Sequence, residues 1–390
     1  MHFAKPNAII ASSLALCTHF LILDKVSSWS NGLNRAVATK SVGSLVRASE
    51  KIAIDPATAL QEALDRAGVI RFCDIGPTKY GRGLVARRDM DPGDVVFRLP
   101  LSETTAVEIS SSESSISISD AWAGRLAQKL VERQKETNSG TTIANSYKKA
   151  LPKPPPTPSR GDWSIEALET LESKDILREI KVAQDWRNEQ WEVFGVSDGA
   201  LGDQQRFLDA LDLVSSRTIR CGDKFMLVPF LDMANYASRD QGGGYYALTR
   251  SSKEDEEMIE LRIGDRGVKA GGEIFLDYGD RTNNDWLLYY GFLPDRNSAE
   301  SVILPNSQRI ITWDEAGSED KGLKDECQAC LDCSSTTLQE DYEALGILEK
   351  DIRNNDTTLI LALKYRIARK TLLSAVAGAK ASSAFSSAFL

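Results

Sequence analysis

Short β-rich runs open this chain and return late, with helical stretches set between and after them, and this order restricts the fold more than any other feature. Residues 56–68 (PATALQEALDRAG) put Leu60, Leu64 and Ala67 at the spacing of an amphipathic helix. LVA (84–86) and VVFRLP (95–100) flank the turn-rich RRDMDPGD (87–94), so they are expected to pair as a hairpin. Helical spacing then runs through 121–136 and 163–194, carried in the second by Trp163, Leu168, Leu171, Ile176 and Ile180. β character returns at FMLV (225–228), YYALTR (245–250), MIELRI (258–263) and EIFLDYG (273–279), with the charged SSKEDEE (251–257) as an exposed turn. The tail, 336–377, reads as helical throughout. The serine-rich 110–119 and the proline-rich PKPPPTP (152–158) read as loops or insertions that lack the apolar content to pack. Strands, a helical insert, strands again and then helices suit an α+β core with a helical appendage.

Histidine usage narrows the chemistry. Only His2 and His19 occur, both near the N-terminus, in a chain of 390 residues. A Ser–His–Asp triad, a Cys–His pair, HExxH zinc chemistry and a histidine proton shuttle are therefore closed to the body of the protein. The six cysteines are scattered in a way that suggests no secreted disulfide framework. Cys327, Cys330 and Cys333 form CxxCxxC, yet three thiols without a nearby histidine or fourth cysteine fall short of a structural zinc site, and they read as free thiols with no metal. Net charge is −9, and because residues 1–49 hold five basic side chains against Asp24 alone, the acidic excess lies in the rest. An acidic body argues against nucleic acid as a partner and favours cationic ones, such as a lysine-bearing peptide.

Residues 8–23 (AIIASSLALCTHFLIL) form an uncharged, mostly apolar run after Lys5, short for a membrane span and the right length for a signal-peptide core. Residues 25–49 follow with Lys25, Arg35, Lys40, Arg47, many Ser and Ala, and no acid, which is transit-peptide composition. A signal core followed by a transit-like stretch resembles the two-part leader of algae with secondary plastids. Residues 1–50 are thus expected to be a targeting leader to the plastid, the alternatives being the secretory pathway or the mitochondrion. The mature chain is expected to be monomeric and to have no membrane partner.

Four segments carry the candidate chemistry. Gly81-Arg82-Gly83 lets backbone groups approach a ligand, or makes a tight turn; it does not precede a helix, so it is not a dinucleotide fingerprint. Arg217 is a forked donor suited to a carboxylate, or an ordinary surface arginine. In VPFLDMANY (228–236), Asp232 and Asn235 stand among apolar residues and must either satisfy local backbone or face a ligand. In GGEIFLDYGDRTNNDWLLYYGF (271–292), a strand ends at Tyr278, which is either a core aromatic or a site residue, and an aromatic-rich helix ends at Gly291-Phe292.

Together, GRGLVARRDMDPGDVVFRLP, the SSR ahead of VPFLDMANY, and GEIFLDYG…N…LLYYGF resemble, in order and character, the SET-domain protein methyltransferases of the Rubisco large-subunit lysine methyltransferase-like subfamily. Leu151-Pro152 after Tyr147 and the tail TTLQEDYEAL…ALKYRIARKTLL are similar as well. The resemblance implies a SET domain over 51–300 with a helical insert at about 105–215, followed by a helical substrate-binding-like domain over 301–390. It implies a knot-like core in which the 232–236 and 273–279 segments cross to form a site for S-adenosyl-L-methionine (AdoMet). In that site Gly81, Arg82 and Gly83 would line the methionine part through backbone, and Arg217 would meet its carboxylate. Asp232, Asn235 and Tyr236 would hold its amino group and adenine. Tyr278 would be the catalytic tyrosine, Tyr290 and Phe292 would flank cofactor and lysine channel, and Tyr245 or Tyr246 would line that channel. The implied activity is lysine N-methylation of a non-histone protein, with histidine methylation or a non-catalytic binding module as the other readings. Tyr236 stands where the family usually has histidine, and the tail is shorter than usual.

Overall fold

In the computed structural model, described residues are 55–108, 118–135, 142–195, 203–250, 256–350 and 356–378. The leader assigned to 1–50, the serine-rich 110–117, residues 251–255 of the charged turn and 379–390 lie outside them. Asp55 accepts from the Thr58 N–H and starts α1 (Pro56–Arg66) with proline at its first position, where no N–H is needed. β1 (Cys73–Thr78) and β2 (Gly81–Ala86) follow, then β3 (Val95–Pro100) and β4 (Thr105–Glu108). The insert comprises α2 (Ile118–Lys135), α3 (Ile143–Ala150), α4 (Ile165–Thr170), α5 (Lys174–Gln190) and α6 (Gln204–Arg217). Strands resume as β5 (Ile219–Cys221), β6 (Lys224–Leu227), β7 (Asn235–Tyr236), β8 (Tyr245–Arg250), β9 (Glu257–Arg262) and β10 (Glu273–Leu276). The short α7 (Asn283–Asp285) widens into a π turn over Trp286–Tyr290. The C-terminal part holds β11 (Ser301–Ile303), β12 (Ile310–Thr312), α8 (Lys321–Asp332), α9 (Leu338–Leu348) and α10 (Thr357–Ala377).

The strands form four small sheets, ordered β1-β2-β10-β7, β3-β9-β8, β4-β6-β5 and β11-β12. One core joins the first three to α1, α2, α3 and α6, with Leu60, Leu84, Leu99, Leu126, Phe207 and Phe230 sealed from solvent. A second cluster packs Leu171, Ile176 and Leu287 against Ala362 and Tyr365 of α10; a third joins β11, β12 and α8 to the end of α10. The described residues make one compact unit. No described helix is long and apolar enough to cross a membrane.

The α+β reading holds; β8 and β9 pair antiparallel, with Arg250 opposite Glu257, the last residue of the run expected as a turn. Other expectations fail for identifiable reasons. β2 and β3 do not pair: β2 lies between β1 and β10, while β3 pairs with β9. The turn between them is held instead by Met90, bridged to Val268, so the chain changes sheet there. The hairpin is β1–β2, turning at Lys79-Tyr80. The helical run over 163–194 breaks at Leu171–Ser173, where Glu172 has φ +49° and Ser173 caps α5. The tail breaks into α9 and α10, each with its own Thr337 or Asp356 cap.

The proline-rich loop does pack, against the expectation. Thr157, Pro158 and Ser159 are buried, and Pro155 and Pro156 lie against Gly291. Polar groups rather than apolar content hold it: Trp163 Nε1 donates to Pro156 O at 3.1 Å, and Arg187 Nη1 to Ser159 O at 3.3 Å. Arg160 and Arg187 both clasp the buried Asp212 of α6, at 2.7 and 2.8 Å.

Candidate active site

The site begins where β6 ends. Phe230 adopts φ +77°, unusual for a bulky residue, and is fully buried against Phe97 with ring centroids 5.3 Å apart. The turn it makes leads into a 3₁₀ turn, Leu231–Met233, that aims Asp232 inward, and then into β7. β7 and β10 pair in parallel, Asn235 opposite Phe275 and Tyr236 opposite Leu276. Thus the two segments expected to cross lie side by side. A third strip of backbone joins them: Gly244 N donates to Phe275 O, and Asp277 N to Gly244 O, both at 2.9 Å. Any Cβ at Gly243 would fall 2.0 Å from Ala237 O, so only glycine permits this approach.

Gly81, Arg82 and Gly83 border the same place. Asn235 Nδ2 donates to Arg82 O at 3.2 Å, to Thr78 Oγ1 at 3.3 Å and to Glu273 Oε1 at 2.7 Å, directly over Gly83. The Arg82 side chain turns to Ala150 O of α3, at 2.6 Å.

Behind them lies a buried polar knot. Arg217, the last residue of α6, donates through Nη1 to Asp232 O at 2.6 Å and to Asp232 Oδ2 at 3.2 Å. The Tyr147 hydroxyl donates to the same Oδ2 at 2.8 Å. Burial raises the Asp232 carboxyl above its ordinary range, while Arg217 and Tyr147 pull it back down. Two atoms of this knot stay buried with no hydrogen-bond partner among the described residues: Asp232 Oδ1, an acceptor, and Arg217 Nε, a donor. Unsatisfied buried polar atoms are costly, so a pair of opposite character marks a place made for something else.

An aromatic wall stands next to the knot. Trp286 is fully buried, with the rings of Tyr236, Tyr290, Phe292 and Tyr278 centred 4.5, 4.8, 5.0 and 6.0 Å from its own. Tyr278 donates its hydroxyl to Ala234 O at 2.7 Å, and burial pushes its pKa well up, so it stays protonated near neutral pH. The Tyr236 hydroxyl is pushed up to about 12, chiefly by burial. Of the two β8 tyrosines, Tyr246 packs on the main core, donates to Arg220 O at 3.1 Å and feels the charges of Arg281 and Asp277. Tyr245, its neighbour on an alternating strand, turns elsewhere and lies under the Arg239 guanidinium at 4.9 Å.

Three participants had no role assigned from the sequence. Tyr147 stands 85 residues from Asp232 in the chain. Trp286 was one aromatic among several in its segment. Arg281 holds its guanidinium 5.2 Å from the Tyr290 ring centre, and its Nε is buried with no hydrogen-bond partner among the described residues. Elsewhere, Cys327 and Cys330 share α8 and Cys333 follows it; all are free, and no group of three His, Cys, Asp or Glu side chains converges on a metal position among the described residues.

No protein-family model and no curated protein sequence matches the chain. Solved structures do. The SET domain of LSMT bound to lysine and AdoHcy superposes with TM-score 0.61 at 16% identity, covering 83% of this chain and 90% of that one. Rubisco LSMT bound to AdoMet gives TM-score 0.58 at 17% identity, covering 83% and 91%. The fold is a SET domain.

Proposed function

We propose that this SET-fold protein is an AdoMet-dependent protein-lysine N-methyltransferase, with its site between the polar knot and the aromatic wall. One observation carries the reading: within one ion pair, Asp232 Oδ1 and Arg217 Nε are left as an orphaned acceptor and an orphaned donor, the complement of an amino-acid zwitterion. The residues present therefore fit the methionine part of AdoMet, its ammonium on Asp232 and its carboxylate on Arg217, with the backbone of Gly81–Gly83 and the Asn235–Tyr236 strand beside it. The neighbours of like fold were solved with AdoMet or with lysine and AdoHcy, which supports the same assignment.

AdoMet, when bound, supplies an electrophilic methyl group on a cationic sulfur. This chain's residues have the remaining work. A free lysine holds its proton with pKa about 10.4, so releasing it near pH 7 costs roughly 4–5 kcal/mol. Walls made of Tyr246, Tyr278 and Tyr290 strip water from an incoming ammonium and lower that cost, and the Arg281 charge beside Tyr290 works in the same direction. No histidine base is needed; the proton leaves to water. Tyr278, with its hydrogen committed to Ala234 O, keeps oxygen lone pairs free to face a polarised methyl group. Histidine methylation uses the same walls, and mass spectrometry of the labelled product separates the two.

The test is calorimetric titration of the protein with AdoMet, followed by transfer of labelled methyl to a plastid or cytosolic extract. Heat and lysine-borne label are expected; no heat would make the protein a non-catalytic SET-fold binding module. Plastid delivery by residues 1–50 belongs to the same proposal on sequence grounds. A reporter fused to those residues should enter plastids, and secretion of the reporter would refute it.

A further inference from the structure

We propose that Tyr147 is a positioning residue for ligand binding: its hydroxyl, with Arg217, saturates one oxygen of Asp232 so that the other is presented to a ligand ammonium. This rests on the AdoMet reading above and deepens it.

The asymmetry is geometric. Both donors that reach the carboxylate, Tyr147 Oη at 2.8 Å and Arg217 Nη1 at 3.2 Å, converge on Oδ2. Oδ1 receives none and is buried. A carboxylate free to rotate would share its donors between both oxygens; two donors on one side fix its plane. Arg217 cannot do this alone, because its shorter bond, 2.6 Å, goes to the Asp232 backbone carbonyl.

Tyr147 is itself held firmly. It is 3% exposed, and α3 is capped by Thr142 and anchored in the main core by Ile143 and Ala150. The carbonyl of Ala150 accepts from Arg82, so one short helix steadies both the Gly81–Gly83 strand and the carboxylate facing it. A buried phenol needs a hydrogen-bond partner, and Asp232 supplies one to Tyr147. Burial and the adjacent Asp232 charge drive the phenol's own pKa far up, so it acts as a donor and never as an acid. The charged or titratable groups facing Asp232 are Arg217 from α6, Tyr147 from α3, Arg82 from β2 and Tyr278 after β10.

The experiment compares wild type with Tyr147→Phe by calorimetry, using AdoMet and 5′-methylthioadenosine, which lacks the amino-acid part, between about pH 6 and 8. The expected result is a loss of about tenfold in AdoMet affinity near neutral pH, the size of one hydrogen bond to a charged group. That loss should grow towards acid, since a carboxylate deprived of a donor takes up its proton sooner. Affinity for 5′-methylthioadenosine should not change. In an Asp232→Asn background the same substitution should lose its pH-dependent effect. Equal weakening of both ligands at every pH would reduce Tyr147 to a packing residue and overturn the proposal, as would unaltered AdoMet affinity. Wild type that binds neither ligand would overturn the AdoMet reading itself.

Discussion

At the residue scale, the site depends on single atoms with no substitute. The Tyr278 hydroxyl gives its hydrogen to Ala234 O, and removing it leaves the ring packed between Tyr236 and Tyr290. Tyr278→Phe should therefore slow methyl transfer by about a hundredfold or more while leaving AdoMet affinity within about threefold. Single-turnover transfer and calorimetry read the two separately, and equal losses in both would remove Tyr278 from its role. Gly83→Ala should act the other way. Its Cβ would lie 2.7 Å from Asn235 Nδ2 and 2.8 Å from both Glu273 Oε1 and Thr78 Cγ2, so Asn235 must move. A cost of about 1–3 kcal/mol is expected in a denaturant melt, together with weaker AdoMet binding; an unchanged melt would show that the strand gives way freely. Gly83, Asn235 and Tyr278 were legible because their residue types stand out locally. Tyr147 was not, because nothing near it in the chain says that an aspartate 85 residues on will need its hydroxyl.

At the element scale, the α7–π segment carries Trp286 and Tyr290 and is held at its start by carboxylates. Thr282 and Asp285 form a reciprocal capping box, and Asn283 N donates to Glu300 at 2.7 Å. Glu300 is 2% exposed, and burial raises its pKa to about 7, partly offset by its backbone hydrogen bonds and by Arg369. A carboxylate whose folded pKa is raised contributes stability that is fully present below its unfolded value and is lost as pH rises through about 7. Glu300→Gln should therefore gain on wild type as pH climbs from about 4.5 to above 7, by up to roughly 3 kcal/mol. Urea melts across that range check it, and a pH-independent difference would mean the buried carboxyl is not titrating. Helix existence was easy to read here, since caps and apolar spacing are local signals. Strand partners were not: LVA and VVFRLP are neighbours in sequence, but LVA pairs with β1 just ahead of it and with β10, and VVFRLP with β9, the last two more than a hundred residues away.

At the scale of the whole molecule, the C-terminal helices are tied to the insert by buried charge. Asp341 of α9 is fully buried and accepts from Arg366 at 2.7 Å and Lys370 at 2.8 Å, both on α10. Glu172, in the break between α4 and α5, meets the same two cations at 3.1 and 3.4 Å. Two anions balance two cations, so removing one leaves an excess positive charge without water. Asp341→Ala should cost about 3–5 kcal/mol in equilibrium unfolding. A cost below about 1 kcal/mol would mean that water already reaches the cluster. This clamp also explains why Glu172 can hold φ +49°, since its carboxylate is fixed from outside its own segment.

The sequence by itself determined the α+β class, the positions of most helices and late strands, the absence of histidine chemistry from the body, and the short list of residues around Gly83, Asn235 and Tyr278. Those follow from periodicity, caps and residue type, all of which act within a few neighbours. Tertiary structure alone decided which strands pair, that the proline-rich loop packs, that Tyr246 packs on the main core while Tyr245 lies under Arg239, and that Tyr147 and Arg217 share one oxygen of Asp232. Those depend on hydrogen bonds and charges between distant segments, whose strength comes from burial that only the folded chain creates.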